Sequence, residues 1–322
     1  MSINKEKNHI DSFVDYDMVK WSSTLKLNLK RVVMSKFEPH VIRTSLYRPF
    51  TRQYLYYDPV LNERPGLFRI IFPDENSESE NRVILVSRSG EKPFCCLMSD
   101  HIPNFVTCGG FGAATECFPF LTYSEDFSGP LENITDWGLS QFQNQYTDTN
   151  ISKLDVFNYI YAVLHHPKYR EKFAANLKRE LPRIPYAPDF WGFTRAGEKL
   201  AELHVNYEKQ AEYPLTWIED IDARVNYRVE RMTLSKDKTQ FVYNDFVTLG
   251  GIPPEVFEYC LGNRSAIGWI IDQYQVKTDK RSGITNDPNR PDDPQYIIHL
   301  IGKIITVSIE TLKVIKSLPI LS

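Results

Sequence analysis

Residues 154–186 place the strongest constraint on how this chain can fold, because helical periodicity and prolines alternate within them. Ser152 followed by Asp155 predicts a capping box, with aspartate in place of the usual glutamate or glutamine. Apolar residues then recur at helical spacing and predict one buried helix face: Leu154, Phe157, Ile160, Tyr161 and Leu164. Pro167 fits only the first turn of a new helix, so the first helix is expected to end near His165.

The second helix is predicted to present two different sides. Its apolar positions are four residues apart: Tyr169, Phe173 and Leu177. The opposite side carries an excess of basic residues, among them Lys178 and Arg179. Pro182 and Pro185 then force the chain out of helix and into an extended path.

Charge is balanced overall but unevenly distributed. The sequence has 38 basic and 41 acidic residues, so its net charge of −3 does not by itself indicate nucleic-acid binding. Between residues 26 and 52, however, the basic residues are accompanied by only one acidic residue, Glu38: they are Lys26, Lys30, Arg31, Lys36, Arg43, Arg48 and Arg52. Residues 124–155 are acidic, with Lys153 as their one basic residue. This distribution favours a protein with one functional surface.

Residues 41–57 interleave arginines with tyrosines: Arg43, Arg48 and Arg52 with Tyr47, Tyr54, Tyr56 and Tyr57. Guanidinium groups and flat aromatic rings suit phosphate contacts and base stacking. An equally open alternative is a strand at residues 54–56, with the arginines paired with carboxylates. Residues 67–72 and 83–87 are predicted as short strands, and residues 124–150 as irregular.

Cysteine usage argues against a metal site. Four cysteines and a histidine lie close together, Cys95, Cys96, His101, Cys108 and Cys117, but without a Cys-x-x-Cys pair. Adjacent Cys95 and Cys96 would point to opposite faces of a strand. Five cysteines and no signal peptide at residues 1–9 predict a cytoplasmic protein. The longest apolar run, residues 296–315, contains charged residues and is predicted as a buried helix rather than a membrane span.

A glycine run at residues 108–115 resembles a nucleotide-binding loop only weakly. Gly110 and Gly112 have G-x-G spacing, but Thr115 stands where the third glycine belongs. No acidic residue follows at the distance that a dinucleotide site requires. A tight connection to a strand at residues 118–123 is the better interpretation.

Two polar segments of the second half are candidates for an exposed binding surface. Residues 227–246 predict a β-hairpin with Lys236 and Lys238 at its tip, which is of a size to enter a DNA major groove but equally typical of an ordinary solvated hairpin. Residues 277–294 predict a long polar loop, and loops of this length are usually functional or disordered. Helices are expected at residues 190–209, 253–261, 265–275 and 294–316.

Several motifs in one order resemble the C-terminal specificity domain of type ISP restriction-modification enzymes, which are single-chain, helicase-driven DNA translocases. Four of them lie between residues 159 and 204: Tyr159-Ile-Tyr-Ala-Val-Leu-His-His-Pro, Tyr169-Arg-Glu-Lys-Phe, Leu181-Pro-Arg-Ile-Pro and Leu200-Ala-Glu-Leu-His. The others are Leu46-Tyr-Arg-Pro-Phe, Leu61-Asn-Glu-Arg-Pro, Gly262-Asn-Arg-Ser-Ala-Ile-Gly-Trp and Ser282-Gly-Ile-Thr-Asn-Asp-Pro-Asn. The resemblance covers about residues 20–322.

This resemblance implies a domain division and a function. Residues 1–40 would form a helical connector to a methyltransferase domain, and residues 41–322 a DNA target-recognition domain. Such a domain would bind double-stranded DNA and position an adenine-N6 methyltransferase, a translocase and a nuclease on the target site. S-adenosylmethionine, ATP and magnesium would serve the parent enzyme and not this chain. By this resemblance, the chain would be a severed or separately encoded C-terminal piece of such an enzyme.

The catalytic signatures of such an enzyme are missing from the sequence. There is no G-x-x-x-x-G-K-[ST] phosphate loop and no G-x-S-x-G elbow. The methyltransferase motif, Asn or Asp followed by Pro-Pro and Tyr or Phe, is absent, since Ile252-Pro-Pro-Glu lacks both the polar and the aromatic residue. We expect no catalytic residue, metal or cofactor in this chain.

The expected fold is α+β, with a mixed, largely antiparallel sheet in the N-terminal half packed with helices from the C-terminal half. The expected DNA-binding residues are Lys30, Arg31, Arg43, Arg48, Arg52, Lys178, Arg179, Arg183, Lys236, Lys238, Lys277, Lys280, Arg281 and Asn286. The rival hypothesis is a docking or scaffold module that does not bind DNA. A small-molecule enzyme built on the glycine run is a third, without an acid–base pair to support it.

Overall fold

The computed structural model describes residues 21–62, 66–87, 93–108, 114–124, 129–219 and 226–321. Helices and short strands are mixed along these ranges in an α+β fold, as predicted. The glycine run at residues 109–113 and residues 1–20 of the predicted connector lie outside the described residues.

The described residues form ten α-helices. In chain order they are α1 (Ser23–Lys30), α2 (Phe68–Ile71), α3 (Glu75–Glu80), α4 (Asp136–Tyr146), α5 (Lys153–His165), α6 (Pro167–Lys172), α7 (Ala174–Leu177), α8 (Phe190–Val205), α9 (Ala266–Gln273) and α10 (Tyr296–Lys316). Short 3-10 turns occupy Pro39–Val41, Tyr207–Lys209 and Pro254–Glu258.

The strands of the described residues are short. They are β1 (Ile42–Arg48), β2 (Thr51–Tyr56), β3 (Val83–Ser87), β4 (Cys96–Ser99), β5 (Ile102–Pro103), β6 (Thr115–Pro119), β7 (Leu121–Tyr123), β8 (Pro130–Glu132), β9 (Thr216–Glu219), β10 (Thr233–Leu234), β11 (Gln240–Val242), β12 (Val247–Gly250), β13 (Cys260–Leu261), β14 (Arg264–Ser265), β15 (Lys277–Thr278) and β16 (Thr285–Asn286). The three larger sheets have the orders β2-β1-β5, β4-β3-β6 and β10-β11-β12-β9. All pairs are antiparallel except β1 with β5, so the mixed, largely antiparallel character is confirmed, although it is divided among several sheets.

Strand β3 has both faces buried and separates two hydrophobic cores. Val83 and Leu85 point into a first core, whereas Ile84 and Val86 point into a second one. This alternation is the ordinary geometry of a strand, in which successive side chains lie on opposite faces. The sheet β4-β3-β6 is therefore an internal wall of the molecule.

The two cores are built from different parts of the chain. The first core joins β1 and β3 to the sheet β10-β11-β12-β9 and to helices α9 and α10. The second core joins the other face of β3 and β4 to helices α5 and α8. Helices from the second half of the sequence thus cover a sheet from the first half, as predicted.

The opening stretch folds largely as its sequence indicates. Ser152 and Asp155 form the reciprocal capping box at the start of α5. Helix α5 ends at His165, and Pro167 is the first residue of α6. The second predicted helix is interrupted at Phe173, which has a non-helical backbone between α6 and α7.

Buried tyrosines fix the extended segment after α7. The Tyr169 hydroxyl donates to the Arg183 carbonyl at 3.0 Å, and the Tyr159 hydroxyl donates to the Pro185 carbonyl at 2.6 Å. These bonds satisfy carbonyl groups that a chain leaving a helix would otherwise expose.

Several secondary-structure predictions are wrong. The helix predicted at residues 253–261 is a 3-10 turn at Pro254–Glu258 followed by strand β13. Residues 67–72 contain helix α2 rather than a strand, because Phe68, Ile71 and Phe72 bury at helical spacing against the first core. Residues 124–150 are not irregular throughout, since they include α4, whose first turn is capped by the Thr135 hydroxyl accepting from the Gly138 amide at 3.1 Å.

Cys95 and Cys108 are neighbours in the first core, and Cys96 lies on the other side of the sheet. Cys95 packs into the first core and Cys96 into the second, which agrees with the predicted alternation. In the part of the chain that the structure describes, no three His, Cys, Asp or Glu side chains are grouped as metal ligands.

The apolar run at residues 296–315 forms α10, whose buried side faces the first core. Among the described helices, none combines the length and the apolarity that a bilayer-crossing segment needs.

His204 of α8 connects the two cores through hydrogen bonds. Its Nδ1 lies 2.5 Å from the hydroxyl of Tyr161 in the second core, and its Nε2 lies 3.0 Å from the hydroxyl of Tyr259 in the first core. The Thr311 hydroxyl of α10 is also 3.0 Å from Nε2. Burial lowers the pKa of His204 to about 3, so the ring is neutral at physiological pH.

Helix α8 lies so near to α5 at Gly197 that no larger side chain is expected to fit there. A Cβ at Gly197 would overlap the Asn158 carbonyl group. Gly197→Ala should therefore lower the free energy of unfolding by about 1–3 kcal/mol or more, measured by urea denaturation. Lys199→Ala, at an exposed position of the same helix, is the control and should stay within about 0.5 kcal/mol.

Acid is expected to weaken the connection between the cores. The unfolded chain takes up a proton at His204 near pH 6.5, whereas the folded chain excludes it until about pH 3. The free energy of unfolding should therefore fall as the pH drops through this window and be independent of His204 above it. His204→Gln should show a shallower fall, and the slope that remains would include His165, whose pKa burial also lowers. Equal slopes in the two proteins would contradict a neutral buried ring.

Candidate nucleic-acid interface

Residues 277–286 form a two-stranded β-ribbon rather than an unstructured loop; we call it the basic ribbon. Lys277 of β15 lies opposite Asn286 of β16, and Thr278 lies opposite Thr285, with their hydroxyl oxygens 2.8 Å apart. A cross-strand threonine pair of this kind stabilises an exposed ribbon. The predicted residues Lys277, Lys280, Arg281 and Asn286 are thereby brought onto one small element.

The tip of the basic ribbon is closed by a single aspartate. The Asp279 carboxylate accepts the backbone N–H groups of Ser282 at 2.8 Å and Arg281 at 3.1 Å, and these bonds lower its pKa. Gly283 completes the turn with a φ of +70°, a conformation that favours glycine. Lys280 is exposed at this tip.

A polar groove of about 650 Å³ lies between β2 and residues 286–292. Its lining includes Arg52, Gln53, Tyr54, Gln273, Asn286 and Arg290. Strand β2 is at the edge of its sheet, so one side of its backbone is available to the groove. The Tyr54 side chain is 86% exposed, which leaves this part of the groove open to solvent.

Hydrogen bonds to a neighbouring segment hold residues 287–289 in place. The Asn289 amide accepts the Val229 N–H at 2.8 Å and donates to the Val229 carbonyl at 2.9 Å. The Arg228 guanidinium lies 2.7 Å from the Asp287 carboxylate. Although slight burial acts in the opposite direction, bonds from Asn289 and Arg228 lower the pKa of Asp287.

The floor of the groove is a network of paired charges. Arg52 donates to the Glu208 carboxylate at 2.7 Å and to the Val205 carbonyl at 3.2 Å. Burial raises the pKa of Tyr296, whose protonated hydroxyl donates to the other Glu208 oxygen at 2.7 Å. The guanidinium of Arg290 lies 3.3 Å from the centre of the Tyr296 ring. The positive and negative charges of the floor therefore nearly cancel, and hydrogen bonds and ring contacts join its side chains.

Two predicted DNA-binding arginines are held by contacts within the protein, Arg43 buried and Arg48 half-buried. Arg43 is 5% exposed, and its Nε donates to Glu78 at 2.8 Å while its Nη2 donates to the Asp74 carbonyl at 2.6 Å. Arg48 lies 4.0 Å from the Tyr47 ring centre and donates to Asn104 at 3.0 Å. Arg43 and Arg52 therefore follow the alternative hypothesis for residues 41–57, in which the arginines are paired with carboxylates. We leave Arg43 out of the interface, because its guanidinium has little surface to offer a phosphate.

The other predicted cations do not line the polar groove. Lys30 and Arg31 are exposed at the end of α1, and Lys178 and Arg179 are exposed at the end of α7. Arg183 pairs with Glu180 at 3.0 Å. The predicted hairpin is confirmed as β10 and β11; Lys236 is exposed at its tip, and Lys238 lies 5.4 Å from the Phe257 ring centre.

An apolar groove of about 760 Å³ lies on the other side of Tyr54, between α1 and the hairpin of β1 and β2. It is lined by Trp21, Leu25, Leu29, Phe37, Ile42 and Tyr56. Next to it, Met34 is 79% exposed and Phe37 is 73% exposed, which is unusual for large apolar side chains. This side of α1 has the character of a surface that contacts another protein domain.

The two-core α+β fold with its exposed ribbon belongs to a class of specificity domains. The sequence model of the Type ISP C-terminal specificity domain matches residues 3–300, and the chain belongs to that family. No curated protein matches the chain in sequence.

Solved structures agree with this assignment. One is a nuclease-deletion mutant of the Type ISP restriction-modification enzyme LlaGI in complex with a DNA substrate mimic, at 34% identity and a TM-score of 0.83 over 98% of this chain. Another is the DrdV–DNA complex, at 32% identity and a TM-score of 0.88 over 99%. A third is the ATP-dependent Type ISP enzyme LlaBIII bound to DNA, at 29% identity and a TM-score of 0.85 over 99%. The chain spans 24%, 32% and 21% of the length of these proteins.

Sequence reasoning missed Gln53, Gln273 and Arg290 as groove residues. A single glutamine carries no charge and belongs to no motif. The sequence therefore does not mark Gln53 as a binding residue until its strand is known to lie at the edge of a sheet. Arg290 lay within the predicted polar loop, and its stacking on Tyr296 connects that loop to α10.

Removal of the Arg43 side chain is expected to lower the stability of the fold rather than to remove a DNA contact. Arg43→Ala leaves the Glu78 carboxylate buried without its counter-charge, so the free energy of unfolding should fall by about 3–5 kcal/mol. Adding Glu78→Gln should restore part of the loss. Arg48→Ala is the control, since that side chain is only partly buried. Thermal and urea unfolding measure all four proteins, and an unchanged Arg43→Ala midpoint would contradict the pairing.

Proposed function

We propose that this chain recognises the sequence of duplex DNA as the specificity part of a Type ISP restriction-modification enzyme. The observation that carries the proposal is the position of the basic ribbon beside the polar groove, which places cations and amide side chains on one exposed surface. The structures of LlaGI, DrdV and LlaBIII with DNA support it.

The ribbon has the dimensions that groove recognition requires. A two-stranded ribbon fits the major groove of B-DNA, which is about 12 Å wide. Lys280 and Arg281 would contact phosphates and set the register, whereas Asn286 would face base edges. The Lys277 ammonium group already donates to the Asp272 carbonyl at 2.7 Å and lies 3.4 Å from its carboxylate. A neutral chain can bind DNA in this way because only one surface needs to be basic.

The chemistry of modification and cleavage would belong to other domains of such an enzyme. A methyltransferase domain would use S-adenosylmethionine, and a translocase would use ATP and magnesium. The apolar groove beside α1 supports docking of the methyltransferase domain there. A cytoplasmic location agrees with the five cysteines, all of which are free thiols.

A docking module that does not bind DNA is the second candidate function. The exposed apolar residues around Phe37 favour it, because a domain interface accounts for them without any nucleic acid. A DNA-binding measurement separates the two candidates, because only the first predicts retention of duplex DNA.

The test is retention of random duplexes by the 322-residue chain at about 50 and 200 mM salt, followed by sequencing of the retained DNA. The native chain should enrich one motif. Lys280→Ala with Arg281→Ala should weaken binding to all sequences and reduce the salt slope by about 0.9 for each lost phosphate contact. The matched control, Lys178→Ala with Arg179→Ala, removes two positive charges from a second surface at the end of α7.

The outcomes distinguish the candidates. A weaker salt slope for the ribbon variant alone identifies the ribbon as the DNA surface, and the same result for the α7 variant alone moves the surface there. No retention of any duplex at either salt concentration contradicts DNA recognition and favours the docking module.

A further inference from the structure

We infer that Gln53 determines sequence specificity by contacting an adenine edge in the major groove; this inference rests on the proposed function. Gln53 is the third residue of β2 and lines the polar groove together with its neighbours Arg52 and Tyr54. Three consecutive residues contribute to the lining because the groove runs along the edge of the strand.

The polar groove contains four amide side chains, and the structure divides them into two kinds. Asn289 uses its amide to hold Val229, and Gln273 donates to the Asp272 carboxylate at 2.6 Å. Among the described residues, the amides of Gln53 and Asn286 have no hydrogen-bond partner. Two amides are therefore structural, and two are available to a ligand.

The position of the Gln53 amide favours a hydrogen bond to a ligand. Its side chain is half-buried on the wall of the groove, where a polar group gains more from a partner than on an open surface. Gln53 lies opposite Ser45 of β1 in the sheet, and it contributes to the lining of the groove. Asn286 of the basic ribbon lines the same groove.

The charges around Gln53 favour a base over a phosphate. Glu208, Asp287 and Asp292 supply carboxylate oxygens to the groove. Arg52 and Arg228 pair with the first two, and Arg290 stacks on Tyr296. A phosphate on this floor would meet these oxygens with few cations left to balance it. The cations of the proposed interface lie on the ribbon, Lys280 and Arg281 at its tip. The phosphates are thus expected along the ribbon, and the base edges at the groove.

Adenine is the base that an amide matches best. Its major-groove edge offers the N7 acceptor beside the N6 donor, and the glutamine amide offers one donor and one acceptor at matching spacing. Guanine presents two acceptors in the same place and suits a cation instead. Gln53 therefore adds a reader of adenine to the ribbon contacts.

The experiment compares the enriched motifs of the native chain, Gln53→Ala and Gln53→Glu in the random-duplex selection. Gln53→Ala should lose discrimination at one adenine position by about 5- to 100-fold while keeping the other positions and the salt slope. Gln53→Glu, which can only accept hydrogen bonds, should shift that position towards cytosine, whose N4 group donates. Asn144→Ala, an exposed amide on α4 outside the groove, is the control and should leave the motif unchanged.

Each other result overturns the inference in a recognisable way. A native motif retained in Gln53→Ala shows that Gln53 does not read a base. A uniform loss of affinity with a smaller salt slope identifies a phosphate contact instead. A native chain that enriches no sequence overturns the proposed function together with the inference. Urea unfolding of each variant identifies a folding defect, and the shift expected of Gln53→Glu cannot arise from one.

Discussion

The burial of strand β3 on both faces is the constraint on which the rest of the molecule depends. The two cores use alternate side chains of the same four residues, 83–86, so neither core is complete without this strand. The helices α5 and α8 close one side, and the sheet β10-β11-β12-β9 with α9 and α10 closes the other. The polar groove and the basic ribbon are attached to the second of these sides, through β2 and α10.

Local patterns in the sequence predicted local structure well. The capping box, the end of α5 before Pro167 and the hairpin of β10 and β11 each depend on residues close together in the chain. The division into several sheets could not be predicted, because it depends on distant pairings such as Ser45 with Ile102. Helix α2 was misassigned for a related reason, since a short apolar run has no distinctive period until its buried side is known.

The candidate interface was predictable in composition but not in arrangement. Basic residues on the polar segment at 277–294 predicted an exposed binding surface there, yet strands of two residues each gave no periodic signal for a ribbon. The partners of the arginines were also hidden, because Arg43 meets Glu78 and Arg52 meets Glu208 across 35 and 156 positions of sequence. Charge clusters therefore overstate an interface whenever their counter-ions come from elsewhere in the chain.

The way in which Asp279 closes the ribbon has a consequence for how the charge of the tip can vary. The turn is fixed by one carboxylate, two backbone amides and Gly283, and the exposed Lys280 side chain takes no part in that geometry. A substitution of Lys280 should therefore be nearly neutral for folding and should need no compensating change in either core. The strength of a contact made by this position can thus change while the framework beneath stays constant, and the same independence makes the tip a natural point for engineering.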